Sequence, residues 1–352
     1  MRLLYFSPVH WDSYYQRPHY MTQYFLEKNS NNKVIWVNPY PNRFPNLMDF
    51  INKRPKSPKL TPRLPNLQII SLSALPVEPL PGSEHINFQL FWKKHWNIFK
   101  EISHIGIGRP SKFALMALNR LQHQISFYDA MDDFPEFYRG LSRLSMRRVE
   151  QKVASHVNKV FVSSTALAKK FPRATKILNA YNMQTLPEAQ PSRSGIFGFV
   201  GSIGQWFDWE IVLTLAKALP NNTIRLIGPC FIPCPEALPK NIEMLPECSQ
   251  PEAVEHIKQF HVGLIPFKQN TLTEGIDPIK YYEYRAMGLP ILSTRFGEMQ
   301  YRKTEPGVYF MNTQNIQESA TKALAFESSS TIIQNFRSQN DWKERFNQCE
   351  IL

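Results

Sequence analysis

The chain lacks the long apolar runs that a membrane span requires. No stretch reaches about 18 consecutive apolar residues, so no transmembrane helix is expected. A secretory leader is not expected either, because MRLLYFSPVHWD turns polar after Phe6 and its apolar run is too short. That opening reads as the first strand of a cytoplasmic protein. Cysteine is scarce, with four residues: Cys230, Cys234, Cys248 and Cys349. Cys230 and Cys234 flank Phe-Ile-Pro, but no second pair follows at zinc-like spacing. Free thiols are expected, and a disulfide framework is unlike a chain of this size. No internal repeat, heptad run or nucleic-acid motif is present.

Acidic residues are also in short supply. The 41 Lys and Arg outnumber the 29 Asp and Glu, for a net charge of +12. The deficit is confined to one half: residues 1–175 carry +14, and residues 176–352 carry −2. A charge of one sign on one half suggests an acidic partner for it. Nucleic acid, an anionic membrane leaflet and a lipid-linked phosphate all qualify.

Length and hydrophobic content, 352 residues and 43%, suit two domains with a core each. Strands are expected at 3–6, 34–37, 67–72, 125–128 and 159–163, with helices at about 16–28 and 139–156. The segment from Phe113 begins a helix or a strand. Residues 41–65 are proline-rich and basic, and read as a surface loop. Residues 86–100, INFQLFWKKHWNIFK, space Phe88, Phe91, Trp92, Trp96 and Phe99 at roughly helical intervals, with Lys93, Lys94 and Lys100 between them. Such a helix could lie in a headgroup region, or its aromatics could be core. A polar linker at 183–194 precedes a second series of strands at 195–200, 223–227, 242–245, 262–267, 291–293 and 307–311. Strands alternating with helices give two doubly wound α/β halves.

Residues 274–294, EGIDPIKYYEYRAMGLPILST, organise the second half. Asp277 suits an N-cap and Pro278 the first helical position, Gly288 can close the helix, and Pro290 forbids its continuation. Lys280 and Glu283 fall one turn apart on one face. Helix-start N–H groups with a lysine beside them attract an anion, and a carboxylate one turn on can accept from a vicinal diol. Together they describe a site for a nucleoside diphosphate. An ordinary surface Lys–Glu pair is the plain alternative. Gly201-Ser-Ile-Gly204, after the strand ending at Val200, lets a backbone approach a phosphate, or forms a simple tight turn.

Asp-Pro-Ile-Lys-Tyr-Tyr-Glu-Tyr followed by Ala-Met-Gly-Leu-Pro-Ile-Leu-Ser-Thr resembles the nucleotide-sugar motif of GT-B glycosyltransferases. The likeness is to glycosyltransferase family 4 and the xanthan and teichuronic-acid enzymes of bacterial envelopes. It implies a GT-B fold, with two Rossmann-like domains facing a central cleft. The implied acceptor domain is 1–183, and the implied donor domain is 195–337, with 338–352 packing back on the first. Glu283 is implied to hold the donor ribose and Lys280 its diphosphate. Tyr282, Asp277, Gly201 and Gly204 complete the donor set. The sequence departs from family 4 twice: no Arg/Lys pair follows the Gly201 loop, and Gly275 stands eight before Glu283 where a glutamate is common. Glu274 or Asp277 are the available substitutes there.

For a base acting on an acceptor hydroxyl, the candidates are Asp129, Asp132, Asp133, His10 and Asp12, all following first-half strands. Asp129 closes its strand and leads, with His10 and Asp132 behind it. Helix dipole and lysine replace a metal in such enzymes, so none is expected. The implied reaction moves a sugar from a nucleotide-sugar donor to a lipid-linked or polysaccharide acceptor. The expected setting is the inner membrane face, on anionic lipid and without nucleic acid. The alternatives are a nucleotide-sugar epimerase on the same scaffold and a basic, non-enzymatic nucleic-acid-binding protein.

Overall fold

The computed structural model describes residues 1–44, 64–183, 185–186 and 192–349. Most of the basic stretch 41–65 and much of the linker 183–194 lie outside those residues. The chain divides into two compact units, Met1–Ile177 together with Cys349, and Leu178–Gln348.

The first unit is built on seven parallel strands: β1 (Arg2–Phe6), β2 (Lys33–Asn38), β3 (Leu67–Ser71), β4 (His104–Ile107), β5 (Ile125–Ala130), β6 (Lys159–Val162) and β7 (Thr175–Lys176). Their order is β3-β2-β1-β4-β5-β6-β7. Helices covering both faces let β1 read as a nearly unbroken apolar run, and Leu3, Leu4 and Tyr5 are fully buried. The order of strand addition reverses beside β1, which pairs with β2 on one side and β4 on the other, both parallel. Open α/β sheets place ligands beyond the carboxyl ends of strands at such a point.

No strand is expected from the sequence at 104–107, and β4 forms there through its packing. A Cβ on Gly106 would sit 2.6 Å from the Phe127 ring and 2.7 Å from that of Tyr5. The glycine makes room for aromatic residues from both neighbouring strands.

Residues 86–100 do not form one amphipathic helix. A short α-turn, Ser83–Asn87, passes into a π-turn, Phe88–Trp92, and then a 3₁₀ segment, Lys93–Phe99. Trp92 and Phe99 are buried, and Phe88, Phe91 and Trp96 pack against the same core. The Trp92 ring lies 4.5 Å from that of Phe113, and Phe99 lies 5.9 Å from it. The headgroup reading of this segment is therefore corrected: its aromatics are core and its lysines remain outside.

The second unit holds six parallel strands: β8 (Phe197–Val200), β9 (Ile224–Ile227), β10 (Ile242–Leu245), β11 (Val262–Ile265), β12 (Ile291–Ser293) and β13 (Val308–Phe310). Their order is β10-β9-β8-β11-β12-β13, so the reversal falls beside β8. Helices Ser330–Gln339 and Trp342–Asn347 close this unit. Tyr181 bridges to Asp341, and the Trp342 N–H donates to the Tyr181 carbonyl at 3.1 Å. Backbone pairing thus places 178–183 and the helix Trp342–Asn347 in the same unit, a different division from 1–183 and 195–337 with a returning tail.

Candidate functional site

The helix carrying the motif is Ile279–Ala286. Tyr281, Tyr282 and Tyr284 are buried along it, while Lys280 and Glu283 share the partly open face. Lys280 Nζ lies 2.6 Å from Glu283 Oε2. Gly288 closes the helix with φ 75°, a conformation glycine adopts without Cβ strain, and the Leu289 N–H returns to the Tyr284 carbonyl at 3.0 Å. The Tyr284 phenol accepts the Val200 N–H at 3.0 Å. That bond ties the end of β8, one residue before Gly201, to the helix carrying Lys280 and Glu283.

Asp277 does not cap this helix. The residue before Ile279 is Pro278, and no side chain caps there. The Asp277 carboxylate is buried and receives the Arg302 guanidinium at 2.7 Å, the Tyr282 hydroxyl at 2.9 Å and the Asn179 N–H at 2.7 Å. Arg302 in turn lies 3.8 Å from the Tyr281 ring centroid. A buried carboxylate needs this many partners, and a guanidinium satisfies more of it than a helix N–H could. Tyr282 is buried in the same cluster, and desolvation keeps its phenol neutral. Asp277 and Tyr282, both expected among the donor contacts, are thus buried at the helix entrance and bonded to each other and to Arg302. Arg302 had no signal in the sequence, since nothing in its local pattern marks it as buried.

The Gly201–Gly204 turn is tight for two internal reasons. The Gly201 carbonyl would lie 2.3 Å from a Cβ on Gly228 at the end of β9. The Trp206 indole covers Gly204, whose Cβ would come within 2.7 Å of it. Gly204 therefore accommodates a ring of its own loop. Asp208 then caps the following helix by accepting the Ile211 N–H. Glu274 is exposed and Gly275 is buried. Gly297 was not expected to matter. Its φ is 42°, and a Cβ there would meet the Ile276 carbonyl at 2.2 Å, so it holds the 274–277 loop close.

In the first unit, the carboxyl end of β5 carries Asp129, fully buried. Arg17 Nε reaches Asp129 Oδ1 and Oδ2 at 3.0 and 2.9 Å, and its Nη2 reaches Oδ1 at 2.7 Å. The same guanidinium donates to the Ile177 carbonyl at 2.7 Å. Both oxygens of Asp129, the leading candidate for the base, are thus engaged by Arg17. Asp133 pairs with Lys170 at 2.7 Å, and Lys170 also reaches Glu150 at 2.5 Å.

Asp132 differs from both neighbours. Its residue is partly exposed. Its carboxyl is pushed up to about 7, first by desolvation and then by the charges of Asp133 and Asp129, against the opposing effect of Arg17. A carboxyl titrating near neutrality can both accept and return a proton. His10 and Asp12 are exposed in the loop after β1, with the His10 carbonyl accepting from Ser13.

Two buried acids and bases escaped the sequence reading. His19 is buried among Trp11, Tyr15 and Trp36, and desolvation lowers it to about 4. Its Nδ1 accepts the Gln16 N–H at 3.2 Å, so the neutral ring donates from Nε2 to the Trp11 carbonyl at 3.1 Å. Glu78 is buried and accepts the Lys112 N–H at 2.6 Å, with burial raising it to about 7.

Among the described residues, no group of three or more His, Cys, Asp or Glu side chains is arranged to hold a metal ion. Among the same residues, no helix is long and apolar enough to cross a membrane.

No family model matches the chain. Over 124 residues it is 26% identical to TuaH of Bacillus subtilis (strain 168), which is named as a teichuronic acid biosynthesis glycosyltransferase. That match covers 33% of this chain, and the chain spans 31% of the length of that relative. Solved structures match over nearly all of it. Sucrose-phosphate synthase (tll1590) from Thermosynechococcus elongatus superposes with a TM-score of 0.73 at 12% identity, covering 99% of this chain and 97% of that one. Anabaena Alr3699/HepE, solved with UDP and glucose, gives 0.65 at 12%, covering 99% and 98%. The E. coli trehalose-6-phosphate structure bound with UDP-2-fluoro glucose gives 0.60 at 12% and covers all of both chains. These likenesses show the fold: the chain has the two-domain α/β architecture of GT-B glycosyltransferases.

Proposed function

We propose that this chain is a glycosyltransferase that moves a sugar from a nucleoside-diphosphate donor to a lipid-linked or polysaccharide acceptor in envelope polysaccharide synthesis. The observation that carries the reading is the Lys280–Glu283 pair. It stands on the partly open face of a helix tied by Tyr284 to the end of β8, in a fold shared with proteins solved with UDP-sugars. In this reading, the second unit binds the donor and the first unit binds the acceptor. Lys280 leaves Glu283 for the diphosphate, and Glu283 accepts from the ribose hydroxyls. The Gly201 turn contributes backbone N–H groups beside the diphosphate. Charge building on the departing diphosphate is met by the lysine and the helix start, so the pair stabilises the transition state as well as the ground state.

Asp132 is the group of the first unit suited to take the acceptor proton, because a carboxyl near neutrality balances proton affinity against ionisation. The basic first half supports work at an anionic inner membrane face. The relative and neighbours described above carry transferase or synthase names or hold UDP-sugars, so the epimerase and nucleic-acid readings draw no support from them.

A thermal-shift panel of UDP-, GDP-, ADP- and TDP-linked sugars tests this. One family of donors should raise the melting temperature of the wild type and fail to do so for Glu283→Ala. No shift with any donor, or equal shifts in wild type and variant, would overturn the assignment.

A further inference from the structure

The helix Gly140–His156 turns two faces to different tasks. Met146, Val149 and Val153 face the core of the first unit. On the opposite side Leu141, Leu144, Arg148 and Lys152 recur at helical intervals along one stripe, with Leu141 64% and Leu144 49% exposed. Leucines so exposed carry an unfavourable hydration that a packing helix would ordinarily relieve. The stripe lines a groove of about 420 Å³ whose other wall includes Leu115 and Arg120 of the helix Lys112–Arg120.

The groove is polarised along its length. Both helices begin near the carboxyl ends of the strands, where the leucines lie, and the cations come one to three turns later. Arg120 is held over the Phe88 ring, 5.5 Å from its centroid. Among the described residues, Arg120, Arg148 and Lys152 have no carboxylate within ion-pair distance. The acid lining the groove, Glu84, is already neutralised by Lys112 at 2.9 Å. The groove therefore offers an apolar end and an uncompensated cationic end.

We propose that this groove is a docking surface for anionic phospholipid. Headgroup phosphates meet Arg120, Arg148 and Lys152, and the upper acyl region meets Leu141 and Leu144. The proposal deepens the membrane-face reading given above and rests on it, but assigns the contact to this groove rather than to residues 86–100. Charge complementarity selects the occupant. Three cations with no carboxylate partner among the described residues call for an anion, and two adjacent exposed leucines call for hydrocarbon, which a nucleic-acid backbone does not supply.

The test is co-sedimentation of the full chain with vesicles of phosphatidylglycerol and phosphatidylcholine, or of phosphatidylcholine alone, at low and high salt. The wild type should bind the anionic vesicles, and salt should weaken the binding. Each basic residue near such a surface contributes about fivefold, so R148Q/K152Q should bind roughly thirtyfold more weakly. L141S/L144S should also lose binding at unchanged charge, while K93Q/K94Q, outside the groove, should lose less than R148Q/K152Q. All four positions in the groove variants are exposed, and matching melting curves would confirm intact folds.

Equal loss in K93Q/K94Q, unchanged binding in both groove variants, or equal binding to uncharged vesicles would overturn the proposal. So would retention of vesicle binding alongside loss of duplex DNA or acidic-peptide binding in R148Q/K152Q. Nucleotide-sugar thermal shifts are read in parallel. If those fail while the groove variants lose vesicle binding, the donor assignment falls and the docking surface stands.

Discussion

Arg17, at the start of the first unit's opening helix, grips both carboxylate oxygens of Asp129, 112 residues away at the end of β5. The pair is almost wholly out of water, with side-chain exposures of 2% and 0%. It links the element after β1 to the strand on the far side of β4, and so acts as a clasp across the sheet's switch point. Removing one partner leaves a charge that water cannot reach. Arg17→Ala or Asp129→Ala should each destabilise the protein by about 3–5 kcal/mol. Chemical denaturation measures this. If Asp129→Ala instead kept wild-type stability and lost activity alone, the residue would be catalytic rather than structural.

Asp132→Asn is expected to behave in the opposite way. Removing a positioned proton acceptor should lower kcat by about 10²–10⁴-fold with the fold intact. The wild-type rate should rise with pH through about 7, where this carboxyl ionises, and the variant should lose that limb. A carboxyl held above its unfolded value binds protons more tightly when folded, so its ionisation opposes folding as pH rises from 4 toward 7. The variant should therefore melt slightly higher than wild type at pH 8 and gain nothing at pH 4.

Glu283 and Lys280 should separate stability from binding. Their ion pair is partly open to solvent, so Lys280→Ala should change unfolding free energy by less than about 1 kcal/mol. Hydrogen bonds from a charged group to a ligand are worth about 1.5–3 kcal/mol. Glu283→Ala should therefore weaken nucleotide-sugar affinity by roughly tenfold or more, read by calorimetry. A large stability loss with unchanged affinity would mark the pair as a purely structural contact.

His19 makes stability depend on pH. Its folded value of about 4 lies below the ordinary value near 6.5, because burial disfavours the imidazolium. The unfolded chain binds the proton more readily between those limits, so stability is full above about 6.5 and is lost as pH falls toward 4. The shift corresponds to about 3 kcal/mol at its full extent. His19→Gln should flatten the stability curve between pH 4 and 6.5, at some cost in stability near pH 7. An unchanged slope would show that other groups govern acid unfolding.

The sequence by itself determined the alternation that makes both sheets. Apolar runs such as 34–37 and 262–265 are strands because both faces are covered, and the proline and glycine signals at 278–290 bound one helix within a residue. It also placed Lys280 and Glu283 on one face, since helical spacing is a local property. What it could not decide were outcomes set by contacts between distant segments. The strand at 104–107 formed where Gly106 leaves the space that the Tyr5 and Phe127 rings occupy. Asp129 and Asp132 look alike as letters, but Arg17 clamps one while the other stays partly open. Asp277 left the helix start for Arg302, 25 residues on, and the aromatics of 86–100 turned inward because Phe113 was there to receive them. Local pattern fixes what a segment can become. Whether a charge is buried, paired or available depends on which partner the fold delivers to it, and that depends on residues far away in the chain.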